Sequence, residues 1–223
     1  PKTSQPSPHQ FAEFYKKIAQ PGDTILSIHI TSKLSGTYAS SVAAAEELKG
    51  TYTVVPVDTL CGTMGTAFMC RSARQMERAG KSVDEIKSFI EGVRSKTHVI
   101  LTLETLEYAK RSGRVGTLSA ALASVLNVKP IAMLKDGIVD MVDRVRTRKG
   151  AIDRVLDLAK ENVGDSPVHI GVVHARDEAS AKSLLEEAKK RFNVKESFLT
   201  DLSISLVINF GPGTVGLVLY PAE

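Results

Sequence analysis

The segment at residues 24–41, TILSIHITSKLSGTYASS, places the strongest constraint on what this chain can fold into. A run of apolar and β-branched residues between Ile25 and Ile30 has the length of a buried β-strand. The Ala-rich segment from Ala39 to Leu48 favours a helix on intrinsic propensity. A strand that passes through a short loop into a helix begins a βαβ unit, so the segment predicts an α/β fold.

The loop between that strand and helix is rich in hydroxyl side chains and glycine. It contains Thr31, Ser32, Ser35, Gly36 and Thr37. In an open α/β sheet, ligands bind in the crevice at the carboxyl end of a strand, beside a helix N-terminus. Free backbone N–H groups and the helix dipole attract a carboxylate or a phosphate to that position. We therefore predict an anion-binding cradle without a fixed cation; the alternative is that Ser35 only caps the helix.

The composition argues against two classes of partner. The net charge is only +4 at pH 7, and aromatic residues make up 5% of the chain with no Trp, so stacking platforms for nucleic acid are scarce. No apolar run approaches the roughly 20 residues that a transmembrane helix needs. We expect neither a nucleic-acid partner nor an integral membrane segment.

Cysteine, histidine and glycine patterns indicate no metal site, cofactor or catalytic residue. Cys61 and Cys70 lack CxxC spacing, and the five His residues form no H-E-x-x-H motif. The spacing of Gly211, Gly213 and Gly216 matches G-x-G-x-x-G, but the next residues favour a strand, so no dinucleotide site is expected. Two reduced thiols are typical of a cytoplasmic protein, and we expect that location.

The order of predicted elements indicates two domains. Strands alternate with helices to about residue 95, which predicts a parallel, Rossmann-like first domain over residues 1–95. Residues 96–223 predict a second α/β domain with a mixed, mostly antiparallel sheet. It would contain a hairpin at Asp136-Gly137, an Ala-rich helix at 117–126, and a final hairpin of SISLVIN and TVGLVLY around Gly211-Pro212-Gly213.

Several segments in a fixed order resemble those of one known family. They are TSQPSP at 3–8, ITSKLSGTYASS at 30–41, VVPVDT at 54–59, LEYAKRSGRVGTLSAALASVLNVKPI at 106–131, DGIVDMVDRVRT at 136–147 and GPGTVGLVLYP at 211–221. Together they make essentially the whole chain similar to the DegV family of bacterial fatty-acid-binding proteins. The resemblance implies two α/β domains that enclose a long-chain fatty acid. It also implies a role as the acyl-carrying subunit of a fatty acid kinase, with no catalytic activity alone. A separate ATP-binding kinase subunit would phosphorylate the carboxylate for phospholipid synthesis.

The same resemblance assigns roles to individual residues. It implies that Thr3 and Ser35 bind the carboxylate, with Asn209 at the position where many members have a His two residues before Gly-Pro-Gly. It also implies that Arg146, and with it Arg144, contacts the kinase or the phosphoryl group. The wider cradle predicted around the carboxylate consists of Ser4, Thr31, Ser32, Gly36, Thr37 and Gly211.

Alternatives remain open at this point. The hydroxyl-rich cradle could belong to an enzyme or binding protein for a small phosphorylated metabolite. Thr3 could be a turn residue, and the arginines near residue 146 could form a solvated face. Family members begin with an additional strand, so we interpret the chain as a fragment of a longer protein.

Overall fold

Strands and helices alternate along the computed structural model, which describes residues 2–114 and 128–222. In chain order the elements are α1 (Pro8–Ile18), β1 (Thr24–His29), α2 (Thr37–Glu47), β2 (Thr53–Asp58), α3 (Thr63–Arg78), α4 (Val83–Val93), a 3₁₀ turn (Arg94–Lys96), β3 (His98–Thr102), α5 (Glu107–Ser112), β4 (Lys129–Lys135), β5 (Ile138–Val145), α6 (Arg148–Val163), β6 (Val168–His174), α7 (Glu178–Arg191), β7 (Val194–Asp201), α8 (Ile204–Phe210) and β8 (Val215–Pro221). The Ala-rich helix predicted at 117–126 lies outside the described residues.

The strands among these elements form two sheets. Strands β1 and β2 pair in parallel, as the βαβ pattern predicts. The other sheet has six strands in the order β5-β4-β3-β8-β6-β7, with only β6 and β7 parallel. The predicted α/β class, with a parallel sheet followed by a mixed and mostly antiparallel one, is confirmed.

Local sequence signals explain several element boundaries. Ser7 with Gln10 and Ser82 with Glu85 form capping boxes, which begin α1 and α4. Strands β4 and β5 form an antiparallel hairpin across Asp136-Gly137, where both residues have positive φ.

Helix α3 joins the two sheets. It packs against β1 on one side and against β6 and β8 on the other. Helix α3 approaches β6 so closely that a Cβ on Gly171 of β6 would lie 2.7 Å from the Cβ of Met64 on α3. Buried Phe68 and Met69 of α3 share one apolar cluster with Val57 of β2 and Leu101 of β3. The domain boundary predicted at 95/96 falls just before β3 and stays a prediction.

The final hairpin predicted from SISLVIN and TVGLVLY is wrong. Residues Ile204–Phe210 form helix α8 instead. Strand β8 lies between β3 and β6, so both of its edges are already paired and the preceding segment cannot join it. Leu206 and Phe210, at i, i+4 spacing, pack against the core while Ile204 is 80% exposed, which is a helical pattern of burial.

Candidate functional site

A cavity of about 970 Å³, including the space at its open end, lies between the first part of the chain and the six-stranded sheet. Its lining divides by polarity. Hydroxyl, amide and backbone groups come mainly from the residues before 64, and apolar side chains come mainly from β3, β4, β5 and the region of α8. The lining residues are Thr3, Ser4, Gln5, Ile30, Thr31, Leu34, Ser35, Thr37, Cys61, Gly62, Thr63, Val99, Leu101, Arg114, Leu134, Val139, Leu202, Ser205, Leu206, Asn209 and Phe210.

Ser35 lies at the polar end of this cavity, at the start of α2. Its Oγ accepts a hydrogen bond from the Thr37 backbone N–H at 3.2 Å and lies 2.7 Å from Thr37 Oγ1. The contact resembles the helix-capping alternative, although the N-cap residue itself is Gly36. Two hydroxyls that share one hydrogen bond use only one of their two protons. The other proton remains able to donate to a ligand carboxylate.

The segment before α1 brings Thr3 and Ser4 to the same cavity. Helix α1 is tied to β1 by buried Tyr15, whose hydroxyl lies 2.6 Å from Ser27 Oγ. Gly36 does not line the cavity, but a Cβ there would lie 2.8 Å from Gln5 Nε2. The absence of a side chain at Gly36 therefore leaves room for the Gln5 side chain beside the start of α2.

Three other members of the predicted cradle have different surroundings. Thr31 lines the cavity, but its hydroxyl donates to the Gly137 carbonyl at 2.9 Å and so links the first sheet to the β4–β5 hairpin. Ser32 is exposed, outside the lining, and its backbone N–H donates to the Asp58 carboxylate at 3.2 Å. Gly211 is also absent from the lining and packs against the ring of Tyr108.

Asn209, the predicted third ligand of the carboxylate, is buried on α8 and lines the cavity. Its Nδ2 donates to the Ser205 carbonyl at 2.6 Å, which occupies one amide proton. The other amide proton and Oδ1 remain for further hydrogen bonds. The structure thus brings together Thr3, Ser4, Thr31, Ser35, Thr37 and Asn209 around one cavity.

The expectation of a cradle without a fixed cation is wrong. Arg114 lines the cavity, where its Nε donates to the Leu34 carbonyl at 3.3 Å and its Nη1 to the Ser112 carbonyl at 3.0 Å. The signal for this cation was present in the basic glycine turn at 110–114, KRSGR. Only the fold reveals that the turn lies next to the loop containing Ser35.

A second cavity of about 880 Å³, including space open to solvent, adjoins the first, and we call it the basic vestibule. It shares Thr3, Arg114 and Asn209 with the main cavity. Its lining residues are Lys2, Thr3, Tyr108, Arg111, Ser112, Arg114, Ile208 and Asn209. Among the described residues, three cationic side chains, Lys2, Arg111 and Arg114, therefore line the basic vestibule.

Arg144 and Arg146 lie elsewhere. Both are exposed, and neither lines the main cavity or the basic vestibule. Arg144 follows Ile138 by six positions along β5, which at about 3.3 Å per residue places it roughly 20 Å from the hairpin tip beside Thr31. A contact of these arginines with a kinase stays a prediction.

Burial favours the uncharged form of two titratable side chains, Cys61 and His29, in the first part of the chain. Burial raises the pKa of the Cys61 thiol to about 12, so this cavity-lining residue stays protonated. Burial also lowers the pKa of His29, at the end of β1.

Within residues 2–114 and 128–222, no cluster of three or more His, Cys, Asp or Glu side chains is arranged to hold a metal ion. None of the helices in these ranges combines the length and apolar character needed to cross a membrane.

A family model described as "Uncharacterised protein, DegV family" matches residues 1–222. The chain belongs to the DegV family. A DegV domain-containing protein from Listeria innocua is 37% identical over 226 residues, which cover 99% of this chain and 78% of the relative. A DegV family protein from Thermus thermophilus, whose structure is described as fatty acid binding, is 34% identical. The match to it has a TM-score of 0.91 and covers 100% of this chain and 79% of that one. A DegV family protein from Ruminococcus gnavus, solved with vaccenic acid, is 26% identical with a TM-score of 0.82, over 97% of this chain and 78% of that one.

Proposed function

We propose that this DegV-family protein binds a long-chain fatty acid in the main cavity. The carboxylate would lie at the hydroxyl-lined end with Thr3 and Ser35, and the alkyl tail would lie along the six-stranded sheet. The division of the lining into a polar and an apolar part carries this proposal. Val99, Leu101 and Leu134 come from adjacent strands and form an apolar surface suited to a hydrocarbon chain.

The energetics assign different roles to the two ends of the ligand. Each buried methylene contributes about 0.8 kcal/mol, so roughly 14 methylenes contribute on the order of 11 kcal/mol before the costs of association. A hydrogen bond to a charged group contributes only about 1.5–3 kcal/mol. The tail therefore dominates affinity, while the hydroxyls and Arg114 select a carboxylate and determine its position.

The relatives support the same ligand class. The Thermus thermophilus protein is described as fatty acid binding, and the Ruminococcus gnavus protein was solved with vaccenic acid. Both matches extend over nearly the whole of this chain, including both sheets.

We infer further that the bound carboxylate faces a separate, ATP-dependent kinase subunit in the cytoplasm. The basic vestibule supports this step, because Lys2, Arg111 and Arg114 could hold a phosphoryl group beside the carboxylate. In the transfer, a carboxylate oxygen forms a bond to the terminal phosphorus of ATP while the bond from that phosphorus to ADP breaks. The product would be an acyl phosphate for phospholipid synthesis, and this chain would contribute binding rather than a catalytic group. Trapping the product with hydroxylamine as a hydroxamate, in the presence of a fatty acid kinase subunit, tests the transfer.

Native mass spectrometry of the purified protein, followed by organic extraction, tests the binding proposal. We expect an added mass that matches a long-chain fatty acid and the same compound in the extract. A protein that is purified without ligand and then fails to bind added fatty acid would contradict the proposal.

A small phosphorylated metabolite is the second candidate ligand. The three cations of the basic vestibule favour it, since they provide charge for a phosphate. Such a ligand would be displaced by soluble phosphate compounds and would leave the organic extract empty. A fatty acid would be retained against soluble phosphates, so one competition experiment separates the candidates.

A further inference from the structure

Helix α8 is part of the cavity wall, and its position depends on the loop that follows it. Ser205, Leu206, Asn209 and Phe210 of α8 all line the cavity. The helix ends at the loop Gly211–Pro212–Gly213, which leads directly into β8, the strand between β3 and β6. Any shift of this loop would therefore move Asn209 relative to Thr3 and Ser35.

The loop is held on several sides. Thr214 Oγ1 shares its one proton between the Gly211 carbonyl at 2.8 Å and the Phe210 carbonyl at 3.1 Å. The Gly213 N–H donates to the Ala175 carbonyl at 2.7 Å. Gly213 has φ +81°, and a Cβ there would lie 2.9 Å from Glu104 Cβ. The loop therefore has little room to move.

Arg148 makes the remaining connection, from a different part of the chain. It is the first residue of α6, and its Nη2 donates to the Gly213 carbonyl at 2.8 Å. The same Nη2 contacts Asp177 Oδ2 at 2.5 Å, and Nε donates to Ser180 Oγ at 3.2 Å. Asp177 also caps α7 by accepting from the Ser180 N–H at 3.1 Å. One guanidinium thus joins the starts of two helices to the loop.

The environment of this guanidinium favours a fixed geometry. Arg148 and Asp177 have side-chain exposures of 24% and 25%, well below those of most ion pairs in the described residues. Burial alone would raise the pKa of Asp177, but hydrogen bonds from Ser180 and the charge of Arg148 outweigh burial and lower it. The carboxylate therefore stays charged and continues to orient the guanidinium at neutral pH.

We propose that Arg148 is a positioning residue for the head-group site, acting through the Gly213 carbonyl on α8 and Asn209. The inference rests on the proposed fatty-acid function. Arg suits this task because its planar fork presents several N–H donors in fixed directions, whereas Lys offers a single flexible ammonium. Arg148, like Arg144 and Arg146, lies outside both cavities, but the other two are exposed whereas Arg148 is half-buried and bonds to the Gly213 carbonyl.

The test compares a long-chain fatty acid with the fatty alcohol of the same chain length. Both ligands bury the same tail, so the ratio of their dissociation constants reports on recognition of the carboxylate. We expect Arg148→Met to weaken binding of the acid about tenfold, which corresponds to about 1.4 kcal/mol, and to change binding of the alcohol less than twofold. Arg148→Lys should lose most of the same discrimination, because it keeps the charge and loses the fork.

Arg154→Met is the matched control. Arg154 lies on the same helix and pairs with Asp143 at 2.6 Å and Glu161 at 2.8 Å, away from the loop. Its substitution should leave the acid-to-alcohol ratio unchanged. In an Asn209→Ala background, Arg148→Met should cause little further change in the ratio, because the residue it positions is already absent.

The outcomes separate the inference from the proposed function. Equal weakening of acid and alcohol, or an unchanged ratio in a folded Arg148→Lys protein, would overturn the positioning role. If Arg148→Met does not fold, Arg148→Lys and Asp177→Asn decide the question, with the same direction of change expected. If the wild-type protein binds neither compound, the proposed function fails and the inference fails with it.

Discussion

At the scale of single residues, neighbouring hydroxyls in one loop have different surroundings. Ser35 lines the main cavity and shares a hydrogen bond with Thr37. Ser32, three positions earlier, is exposed and lies outside the cavity. Residue type and spacing in the loop do not distinguish the two, so their positions in the fold decide which can contact a ligand.

Ser35→Ala should weaken fatty-acid retention because it removes a hydroxyl from the polar end of the cavity. The loss of one hydrogen bond to a charged group costs about 1.5–3 kcal/mol, which corresponds to a dissociation constant that is roughly tenfold to hundredfold larger. The lipid extracted per mole of protein and a direct binding titration measure this. Ser32→Ala is the control and should behave as wild type. Unchanged lipid content in folded Ser35→Ala would remove Ser35 from the site.

At the scale of elements, the β4–β5 hairpin contacts the first sheet at its turn. Gly137 has φ +83°, and a Cβ at this position would overlap the Thr31 hydroxyl that donates to the Gly137 carbonyl. Glycine at position 137 is therefore required for two reasons. The hairpin turn needs its positive φ, and the contact with Thr31 leaves no room for a Cβ.

Gly137→Ala should lower the free energy of unfolding by more than Gly22→Ala does. Gly22 has φ +93°, and a Cβ there would meet no heavy atom within 4 Å, so its substitution introduces only backbone strain, on the order of 1–2 kcal/mol. Gly137→Ala adds the steric overlap with Thr31. Urea unfolding of both variants measures the difference, and equal losses would argue against a tight contact between the hairpin and Thr31.

At the scale of the whole molecule, an ion pair joins α3 to the edge of the six-stranded sheet. Arg71 of α3 contacts Glu196 of β7 through two N–O pairs at 2.5 and 2.7 Å and lies 5.6 Å from the Phe198 ring centroid. His169 Nδ1 lies 3.2 Å from the same carboxylate. The pair lies across the contact between the first part of the chain and the second sheet.

The stability that Glu196 contributes should disappear in acid. The hydrogen bond from Arg71 lowers the pKa of Glu196 below its ordinary value of 4.5. A carboxyl whose pKa is lowered by folding stabilises the protein above about pH 4.5, and this contribution is lost as the pH falls through the folded pKa. The urea midpoint of wild type should therefore exceed that of Glu196→Gln at pH 7, and the difference should shrink below pH 4.5.

Glu77→Gln provides the comparison for this measurement. Glu77 pairs with Arg74 within α3, and both side chains are exposed, so the pair should contribute little to stability. A Glu196→Gln difference that stays constant from pH 7 to pH 3 would show that the Arg71–Glu196 pair does not stabilise the contact.

The fold was predictable where short-range signals decide it. The hairpin turn at Asp136-Gly137 forms as predicted, and the capping boxes at Ser7 and Ser82 likewise depend on residues at most three positions apart. The segment at 204–210 was mispredicted because its apolar residues fit both a strand and a helix. The pairing of β8 with two other strands excluded the strand.

The sequence by itself determined the α/β class, the parallel and antiparallel parts of the fold, and the family. It also determined which loops contain the candidate carboxylate-binding residues. These follow from local periodicity, turn chemistry and an ordered set of motifs. Only the tertiary structure decided that Ser35 lines the cavity while Ser32 does not, that Arg114 supplies a cation, and that Arg148 holds the loop after α8. Each of these depends on contacts between residues far apart in the chain, such as the 65 positions between Arg148 and Gly213. Local propensity carries no information about such contacts, because they form only when the elements pack together.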